Sequence, residues 1–373
     1  MDLTIINILK EICNNGYEAY IVGGYVRDNL LRKKSFDVDI CTNARPKDLL
    51  KIFGSSVTLV EEYGAVKLTK GKYNIDITTF RKEEKYVDGK PKGIEYVNSL
   101  EEDLKRRDFT INTICLDKEI NVIDLLNGKT DLKNKIIKTV GKPEIRFKED
   151  PSRILRALRF SITLNFKLDK KIIDYINNNK SEIEKINYTK RKYELDKIFL
   201  SKNIYDFIKL IKKFDIEKEL GIKINKIKPI KSLVGMWAQV DFDEKYPFNK
   251  IELEQINSIK ELVKKGKIDK YDVYKYGSYI TSNAASILGK NAKKINKLYD
   301  KLPIKDIIDI NIEAKDICDI LNIKPSKQLG DVYRIIEKEI IDYKLINTKE
   351  NIIKRLEKLK GEINEGDKGN IKN

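Results

Sequence analysis

The fold is decided by the segment AYIVGGYVRD (residues 19–28), which is followed at a short distance by FDVDI (residues 36–40). An apolar run typical of a buried strand meets two glycines, and a helix-length segment follows before a second short strand. Paired glycines between a strand and a helix let the backbone approach a ligand closely, and a helix start presents unpaired N–H groups to an anion such as phosphate. The segment therefore predicts an anion site at Gly24, with Arg27 adding a forked cation one turn into the helix.

The second strand carries two carboxylates on one face. Residues two apart in a strand point to the same side, so Asp37 and Asp39 lie side by side while Val38 points into the core. Such oxygen ligands suit Mg²⁺, which usually takes one or two carboxylates and leaves its other positions to water and substrate phosphates. Paired glycines alone are commonly a plain turn, and Asp-x-Asp alone is commonly a solvated strand face. Together, in this order, they favour a nucleoside triphosphate with its metal ion.

The composition favours a polyanionic partner and excludes several kinds of active site. The chain has 373 residues, and its 75 Lys+Arg against 58 Asp+Glu give a net charge of +17, which suits RNA although lysine is abundant throughout. There is no histidine, so Ser-His-Asp triads and histidine-ligated metals are excluded. The four cysteines lack the spacing of a zinc site, and no apolar run approaches the ~20 residues of a membrane span. We expect a soluble cytoplasmic protein of two or more domains, without zinc, haem or a membrane partner.

Two further segments of the first half carry candidate residues. Asp76 lies in the strand-like run YNIDITTF (residues 73–80), and a neighbouring strand could carry it to the face of the first two aspartates; an edge-strand aspartate fits the pattern equally well. Residues 82–93 are charged, contain glycine and show no periodicity, which predicts a mobile loop. Further on, RRDFTIN (residues 106–112) places two arginines and an aspartate ahead of an apolar strand, a pattern that a surface ion-pair cluster would also give.

Beyond about residue 138 the sequence predicts helices separated by short polar turns, and this change of class places a domain junction near residues 141–143. The segment EDPSRILRALRF (residues 149–160) opens the helical part. In the ordinary interpretation its proline occupies the first helical position, Asp150 is the N-cap and the arginines form a solvated face. If a nucleotide site lies nearby, a second interpretation is favoured, in which these side chains bind the nucleotide base, because residues three apart are neighbours on a helix. Asp150 and Arg153 could then present an acceptor and a forked donor side by side.

An aspartate–arginine edge of this kind can discriminate between nucleobases. Cytosine offers its exocyclic amine beside the N3 and O2 acceptors, and adenine offers its amine beside N1, so one edge satisfies both bases. Guanine and uracil put a carbonyl opposite the aspartate and an N–H opposite the arginine. Each mismatch leaves buried polar groups unpaired, at a cost on the order of 1–3 kcal/mol.

These motifs resemble the signature of the nucleotidyltransferase superfamily, and the string GGYVRD (residues 23–28) resembles the family of class II tRNA nucleotidyltransferases (CCA-adding enzymes) and bacterial poly(A) polymerases. The ordered motifs cover roughly the first 200 residues. The resemblance implies an α+β fold, in which a small mixed β-sheet head is followed by all-helical neck, body and tail. The expected divisions are a nucleotidyltransferase head at 1–140, a neck that recognises the nucleotide base at 141–200, a body and tail that bind tRNA at 201–360, and a disordered end at 361–373.

The resemblance also assigns roles to individual residues. The family usually has an acidic residue, often glutamate, before a run like TTFR (residues 78–81), which implies a catalytic role for Asp76. In RRDFTIN the second arginine and the aspartate would contact the ribose and phosphates of the nucleotide. The segment EDPSRILRALRF (residues 149–160) matches the element with which the family recognises the nucleotide base. In KRKYEL (residues 190–195) Lys190 replaces the acid of the family's usual Glu-Arg pair, so this segment is assigned no function. The candidates are, for catalysis, Asp37, Asp39 and Asp76, of which Asp37 and Asp39 bind metal, and, for nucleotide binding, Gly24, Arg27, Arg107, Asp150, Arg153, Arg156 and Arg159.

The function implied by the resemblance is template-independent addition of C-C-A to the 3′ end of tRNA from CTP and ATP, with two Mg²⁺ ions and release of pyrophosphate. No protein general base is needed, which agrees with the lack of histidine. A poly(A) polymerase, an enzyme that adds only C-C or only A, an RNA-binding protein with a decayed active site and a small-molecule nucleotidyltransferase stay open as alternatives. The loop at residues 82–93 is associated in the family with adding the terminal A, which favours completion of the whole C-C-A end.

Overall fold

The computed structural model describes residues 2–60, 62, 64–87 and 90–369, with side chains for all of these except 83–87, 90–92 and 362–369. The chain forms two compact units, Met1–Asn225 with Asp241–Pro247, and Lys226–Val240 with Phe248–Asn373. The first unit contains both the predicted head and the predicted neck. Within the described ranges, no helix combines the length and the apolar character that crossing a bilayer demands.

The first unit opens with a seven-stranded sheet whose strand order is β3-β4-β5-β2-β1-β8-β9. β2 and β5 are parallel, and the other neighbouring pairs are antiparallel. This mixed sheet, followed by a mostly helical remainder, confirms the predicted α+β class. The elements up to its last strand are α1 (Leu3–Asn14), β1 (Ala19–Val22), α2 (Gly24–Leu30), β2 (Asp37–Thr42), α3 (Pro46–Phe53), β3 (Val57–Val60), β4 (Ala65–Lys70), β5 (Tyr73–Thr79), β6 (Arg81–Val87), β7 (Lys90–Tyr96), α4 (Leu100–Lys105), β8 (Cys115–Leu116) and β9 (Val122–Ile123).

The alternation predicted for the central strands is present. In β2, Val38 and Ile40 are buried, and in β5 the isoleucines on either side of Asp76 are buried as well. Because the side chains of a strand alternate between faces, this burial leaves the aspartates of both strands on the opposite face. The hydrophobic core therefore fixes which face carries the carboxylates.

The prediction of a loop at residues 82–93 is wrong, because β6 and β7 pair as an antiparallel hairpin that forms a separate two-stranded sheet. Period-2 alternation of apolar residues arises where one face of a strand is buried in a core. The sequence RKEEKYV of β6 is charged at most positions and so lacks that signal, although backbone hydrogen bonding does not need it. Residues 88 and 89, which fall within the predicted loop, lie outside the described residues.

The rest of the first unit is built from short helices with two pairs of two-residue strands. β10 pairs with β11 in parallel, and β12 pairs with β13 antiparallel. The apolar side predicted for the segment at 149–160 is buried, with Ile154, Leu155 and Leu158 at most 1% exposed. The helix begins at Ser152, one residue later than the proline pattern predicts. These elements are α5 (Gly128–Asn134), β10 (Ile136–Ile137), α6 (Pro143–Glu149), α7 (Ser152–Leu164), β11 (Lys167–Leu168), α8 (Lys170–Asn178), α9 (Tyr188–Phe199), α10 (Ile204–Phe214), α11 (Glu217–Leu220), β12 (Ile222–Lys223) and β13 (Asp241–Phe242).

The second unit is helical in its described part. A core that includes Ile317, Ile336, Ile340 and Ile352 holds its C-terminal helices together. The last helix continues to Gly369, although the sequence predicts disorder from Gly361, because a helix anchored by buried leucines extends at little cost per added residue. Residues 370–373 of the predicted disordered end lie outside the described residues. The elements are α12 (Leu233–Trp237), α13 (Lys250–Lys265), α14 (Lys270–Ile287), α15 (Ala292–Asp300), α16 (Ala314–Leu321), α17 (Lys327–Ile341) and α18 (Lys349–Gly369).

Candidate active site

The turn between β1 and α2 brings the backbone against the carboxylates of β2. Gly23 has φ 79° and ψ −143°, a conformation that residues with a side chain rarely adopt. A Cβ atom placed on Gly23 would lie 2.8 Å from Oδ2 of Asp39. Gly23 is therefore required both for the turn and for the close approach. A Cβ atom placed on Gly24 would meet only Nη2 of Arg27, at an ordinary contact distance of 3.7 Å.

Replacing Gly23 by alanine is expected to destabilise the protein by about 1–3 kcal/mol through backbone strain and to displace the Asp39 carboxylate, lowering nucleotide incorporation at least about tenfold. Urea denaturation and single-turnover incorporation assays measure the two effects. Gly24→Ala is the matched control for stability, because the added methyl group meets only an ordinary contact, and we expect a change within about 0.5 kcal/mol. Equal stability of the two variants would contradict the requirement at Gly23.

The structure places the three candidate catalytic aspartates on one face of two neighbouring strands. Asp39 of β2 pairs in register with Asp76 of β5, as the resemblance implies, and Asp37 lies beside them. Oδ1 of Asp37 accepts a hydrogen bond from Nδ2 of Asn74 at 3.2 Å, and Oδ1 of Asp76 lies 3.8 Å from Nζ of Lys67. These five side chains line a cavity of about 350 Å³.

The carboxyl group of Asp39 is in an electrostatically unfavourable position for an anion. The residue is exposed at the surface, yet protein packed behind its carboxyl group partly desolvates it, and this desolvation raises its pKa. The guanidinium of Arg107 opposes the rise, whereas the carboxylates of Asp76 and Asp37 add to it. A cation bound beside Asp39 would stabilise its ionised carboxylate and so lower this pKa.

The donor set fits a divalent ion that shares its coordination with substrate. Within the described residues, no three carboxylate or cysteine groups converge on one point as a complete protein-made metal site. Asp76 pairs with Lys67, which leaves Asp37 and Asp39 as the two carboxylates available on β2. One or two carboxylates with the remaining positions left to water and phosphate is the arrangement that Mg²⁺ prefers.

Arg27 is buried and held on three sides. Its Nε donates to Oδ1 of Asp28 at 2.9 Å, and its Nη1 donates to Oδ1 of Asn112 at 2.7 Å. Its guanidinium carbon lies 4.8 Å from the centre of the Phe160 ring. The predicted anion-binding arginine is thus joined to the RRDFTIN segment by Asn112 and to α7 by Phe160.

Asp108 connects that segment to α7. It accepts hydrogen bonds from Nδ2 of Asn112 at 2.9 Å, from the backbone N–H of Phe109 at 2.8 Å and from Nε of Arg156 at 2.8 Å. Burial alone would raise the pKa of Asp108, but the Arg156 guanidinium and the Asn112 amide hold that pKa far below its usual range. Asp108 is therefore an ionised partner of Arg156, a candidate nucleotide-binding residue.

Arg107 interacts electrostatically with the candidate catalytic residue Asp39 and is held by a buried partner. Asp103 of α4 has no exposed side-chain surface and receives Nη2 of Arg107 at 3.1 Å and Nε of Arg106 at 2.9 Å. Burial opposes ionisation of Asp103, but the two guanidinium groups hold its pKa below the usual value. Nε of Arg107 is buried and has no hydrogen-bond partner among the described residues. Arg107 thus has one donor that is not used by the described residues, and its charge lowers the pKa of Asp39.

Glu194 of α9 holds the two remaining arginines of α7. Nε of Arg159 donates to its Oε2, and Nη1 of Arg156 lies 3.9 Å from its Oε1. The guanidinium carbons of Arg156 and Arg159 lie 5.5 Å and 4.0 Å from the centre of the Phe160 ring. Sequence reasoning missed Asp103, Glu194 and the cluster around Phe160. A glutamate on the apolar side of a predicted helix was the one signal for Glu194.

Asp150 and Arg153 both lie at the start of α7, and the hydrogen bonds described for their side chains go to different partners. Oδ1 of Asp150 accepts the backbone N–H of Ser152 at 3.0 Å, but the N-cap of the helix is Pro151, so the ordinary interpretation of Asp150 as the N-cap is wrong by one residue. Arg153 is only 6% exposed, and its guanidinium donates to Oε2 of Glu149 at 2.9 Å and to the backbone oxygen of Arg106 at 3.0 Å. The arginine therefore does not lie on a solvated face, and a base-reading edge would need substrate to complete it.

Two family models match the chain, one in each half. The model described as Poly A polymerase head domain matches residues 19–138, which include the glycine turn and the three aspartates. The model described as tRNA nucleotidyltransferase domain 2 matches residues 244–356.

Relatives match along nearly the whole length. The chain is 34% identical to the CCA-adding enzyme of Ligilactobacillus salivarius, over 94% of this chain and 95% of that protein. It is 33% identical to the CCA-adding enzyme of Streptococcus agalactiae serotype V, over 93% and 94% of the two chains. The fold is similar to that of the Bacillus stearothermophilus CCA-adding enzyme solved in complex with CTP, with a TM-score of 0.83 at 24% identity over 98% of each chain. The resemblance drawn from the motifs is confirmed: the chain is a nucleotidyltransferase and belongs to the family of CCA-adding enzymes.

Proposed function

We propose that this chain adds C-C-A to the 3′ end of tRNA, using CTP and ATP and releasing pyrophosphate. The observation that carries the proposal is the register of Asp39 opposite Asp76 beside the backbone of Gly23, within the electrostatic reach of Arg107. This arrangement sets carboxylates for a metal ion directly against groups that bind an anion. It is the geometry that a nucleoside triphosphate with its metal ion requires.

Members of this family use divalent metal ions, and we propose Mg²⁺ for this chain, held by Asp37 and Asp39. When bound, the metal supplies activation of the RNA 3′-hydroxyl and stabilisation of the pyrophosphate that leaves. Asp76 pairs with Lys67 and adds negative charge to the face of β2 and β5 on which the metal would bind. Gly24 and Arg107 are proposed to bind the triphosphate, Gly24 through its backbone N–H and Arg107 through its buried Nε–H.

We propose that the arginine cluster on Phe160 places the nucleoside. The guanidinium groups of Arg27, Arg156 and Arg159 lie over that ring. Asp108 and Glu194 hold those of Arg156 and Arg159, and Asp28 and Asn112 hold that of Arg27. A guanidinium held in this way loses less conformational entropy when it binds a ligand. Asp150 would then accept the exocyclic amine of cytosine or adenine, and Arg153, oriented by Glu149, would donate to the adjacent ring nitrogen.

We also propose the division of labour that the motifs suggest, with a head at 1–140, a neck at 141–200, and a body and tail at 201–360 that bind tRNA. The net charge of +17 supports an RNA partner. The hairpin of β6 and β7 stands at the position that the family associates with adding the terminal A, and supports completion of the whole C-C-A end.

The deciding experiment incubates the protein and Mg²⁺ with tRNA that lacks its 3′ end, together with CTP, ATP or both. We expect two cytidines from CTP alone and a finished C-C-A end from both nucleotides, as read by product sequencing. Growth of a long adenosine tail from ATP alone would identify a poly(A) polymerase instead. An end that stops after two cytidines with both nucleotides present would identify a C-C-adding enzyme.

Binding of tRNA is expected to weaken steeply as salt rises. Each phosphate neutralised by lysine or arginine contributes close to one unit to the slope of log affinity against log salt. With six or more such contacts, affinity falls on the order of 10³-fold between ~50 and ~200 mM NaCl. Filter binding with labelled tRNA at several salt concentrations measures the slope, and an affinity independent of salt would rule out phosphate contacts as the main source of binding.

A further inference from the structure

Asp150 and Lys190 form an ion pair at the start of α7, within the first unit. Nζ of Lys190 lies 3.6 Å from Oδ1 of Asp150, the same oxygen that accepts the N–H of Ser152 at 3.0 Å. Both contacts engage the carboxylate through Oδ1.

The lysine of this pair comes from a firmly packed helix. Arg191, the next residue of α9, is 3% exposed and donates to the backbone oxygens of Ile186 at 2.7 Å, Glu184 at 2.8 Å and Glu219 at 2.9 Å. The first turn of α9 is therefore anchored independently of α7. The side chains of Lys190 and Asp150 are 31% and 16% exposed, so their attraction is screened less than that of a pair on the open surface.

We infer that Lys190 is a positioning residue, which fixes the carboxylate of Asp150 so that Oδ2 faces the nucleobase. The inference rests on the proposed function, in which Asp150 accepts the exocyclic amine of cytosine or adenine. An ionised carboxylate oxygen only accepts, so an oxygen fixed at this place favours an amine and repels the carbonyl group of uracil or guanine. Without the lysine, the carboxylate keeps the hydrogen bond from Ser152 but loses the ion pair, so it can turn, which weakens this discrimination.

The test is Lys190→Met, which keeps most of the length of the apolar stem and removes the charge. We expect the ratio of kcat/KM for CTP to that for UTP, on tRNA lacking its 3′ end, to fall about tenfold, which corresponds to one weakened hydrogen bond. The loss should appear mainly as a higher KM for CTP, while the melting temperature stays unchanged. Lys190→Arg should restore the ratio. Lys192→Met is the matched control, because Lys192 pairs with Asp196 at 2.9 Å on the same helix and should leave the ratio unchanged.

Variants at Asp150 separate the inference from the proposed function. If Lys190 acts through Asp150, adding Lys190→Met to Asp150→Asn should change the ratio no further. An equal fall in both backgrounds would mean that Lys190 contacts the nucleotide itself, which overturns the positioning role. A ratio that falls in Asp150→Asn but not in Lys190→Met overturns the inference alone. A ratio unchanged in Asp150→Asn overturns the proposed template role and the inference together.

Discussion

Replacing Asp39 with asparagine is expected to lower nucleotide incorporation by about 10³-fold, while the protein stays folded. Metal ions in such sites contribute several kcal/mol of transition-state stabilisation, and about 4 kcal/mol corresponds to three orders of magnitude in rate. Asparagine has nearly the same shape as aspartate, so the close approach of Gly23 is preserved. The change removes a charge without opening a cavity.

Stability provides the second signature of this variant. Desolvation and the nearby carboxylates raise the pKa of Asp39, so its ionised form is less favourable in the folded protein than in the unfolded chain. Removing the charge should therefore leave the free energy of unfolding at neutral pH unchanged or higher. A residue with a structural role would show the opposite, a loss of activity together with a loss of stability.

Single-turnover incorporation of CTP and urea denaturation measure these two effects, and calorimetric titration of Mg²⁺ in the presence of CTP measures the weaker metal binding that the loss of a ligand predicts. Asp76→Asn is the comparison variant, because Asp76 pairs with Lys67 and lies on the adjoining strand. A loss as large as that of Asp39→Asn would show that Asp76 is itself a metal ligand. Incorporation within tenfold of the unaltered protein in Asp39→Asn would remove Asp39 from the metal site.

The face that carries Asp37 and Asp39 was predictable from sequence because it depends only on the alternation of neighbouring residues in one strand. Asp37 and Asp39 are two residues apart in an alternating strand, and the buried residues between and beyond them decide the face. The pairing of Asp39 with Asp76 was only a possibility at that level, since strand order depends on contacts between distant segments. The same limit explains why the resemblance, rather than the residues alone, favoured Asp76.

The partners of the arginines could not be predicted because they are non-local. Glu194 lies 35 residues after Arg159, and Asp108 lies 48 residues before Arg156. Nothing in the spacing of these residues reveals that the fold brings them together. The direction of Arg153 was also unpredictable, because helical spacing brings it near Asp150 but does not show that Glu149 and a carbonyl oxygen bind its guanidinium.

Asp108→Ala is expected to cost about 3–5 kcal/mol of stability, the range for removing one partner of a buried ion pair. The substitution leaves the charge of Arg156 without its carboxylate and the amide of Asn112 without its acceptor. Because Asn112 also holds Arg27, the loss should spread to the glycine turn, and incorporation of CTP should fall as well. Urea denaturation followed by circular dichroism measures the cost. Asp206→Ala is the control, since its pair with Lys209 is exposed and should contribute at most about 1 kcal/mol.

The same carboxylate predicts a dependence of stability on pH. The folded pKa of Asp108 is held far below the unfolded value of about 4, so its ion pair stabilises the protein fully above that unfolded value. The contribution is lost as pH falls below about 4, because protons then bind the unfolded chain in preference to the folded protein. The difference in unfolding free energy between the unaltered protein and Asp108→Ala should therefore be constant from pH 6 to 8, roughly two units and more above that pKa, and should shrink towards pH 3. A difference that stays the same down to pH 3 would show that Asp108 stabilises the arginine cluster by packing alone.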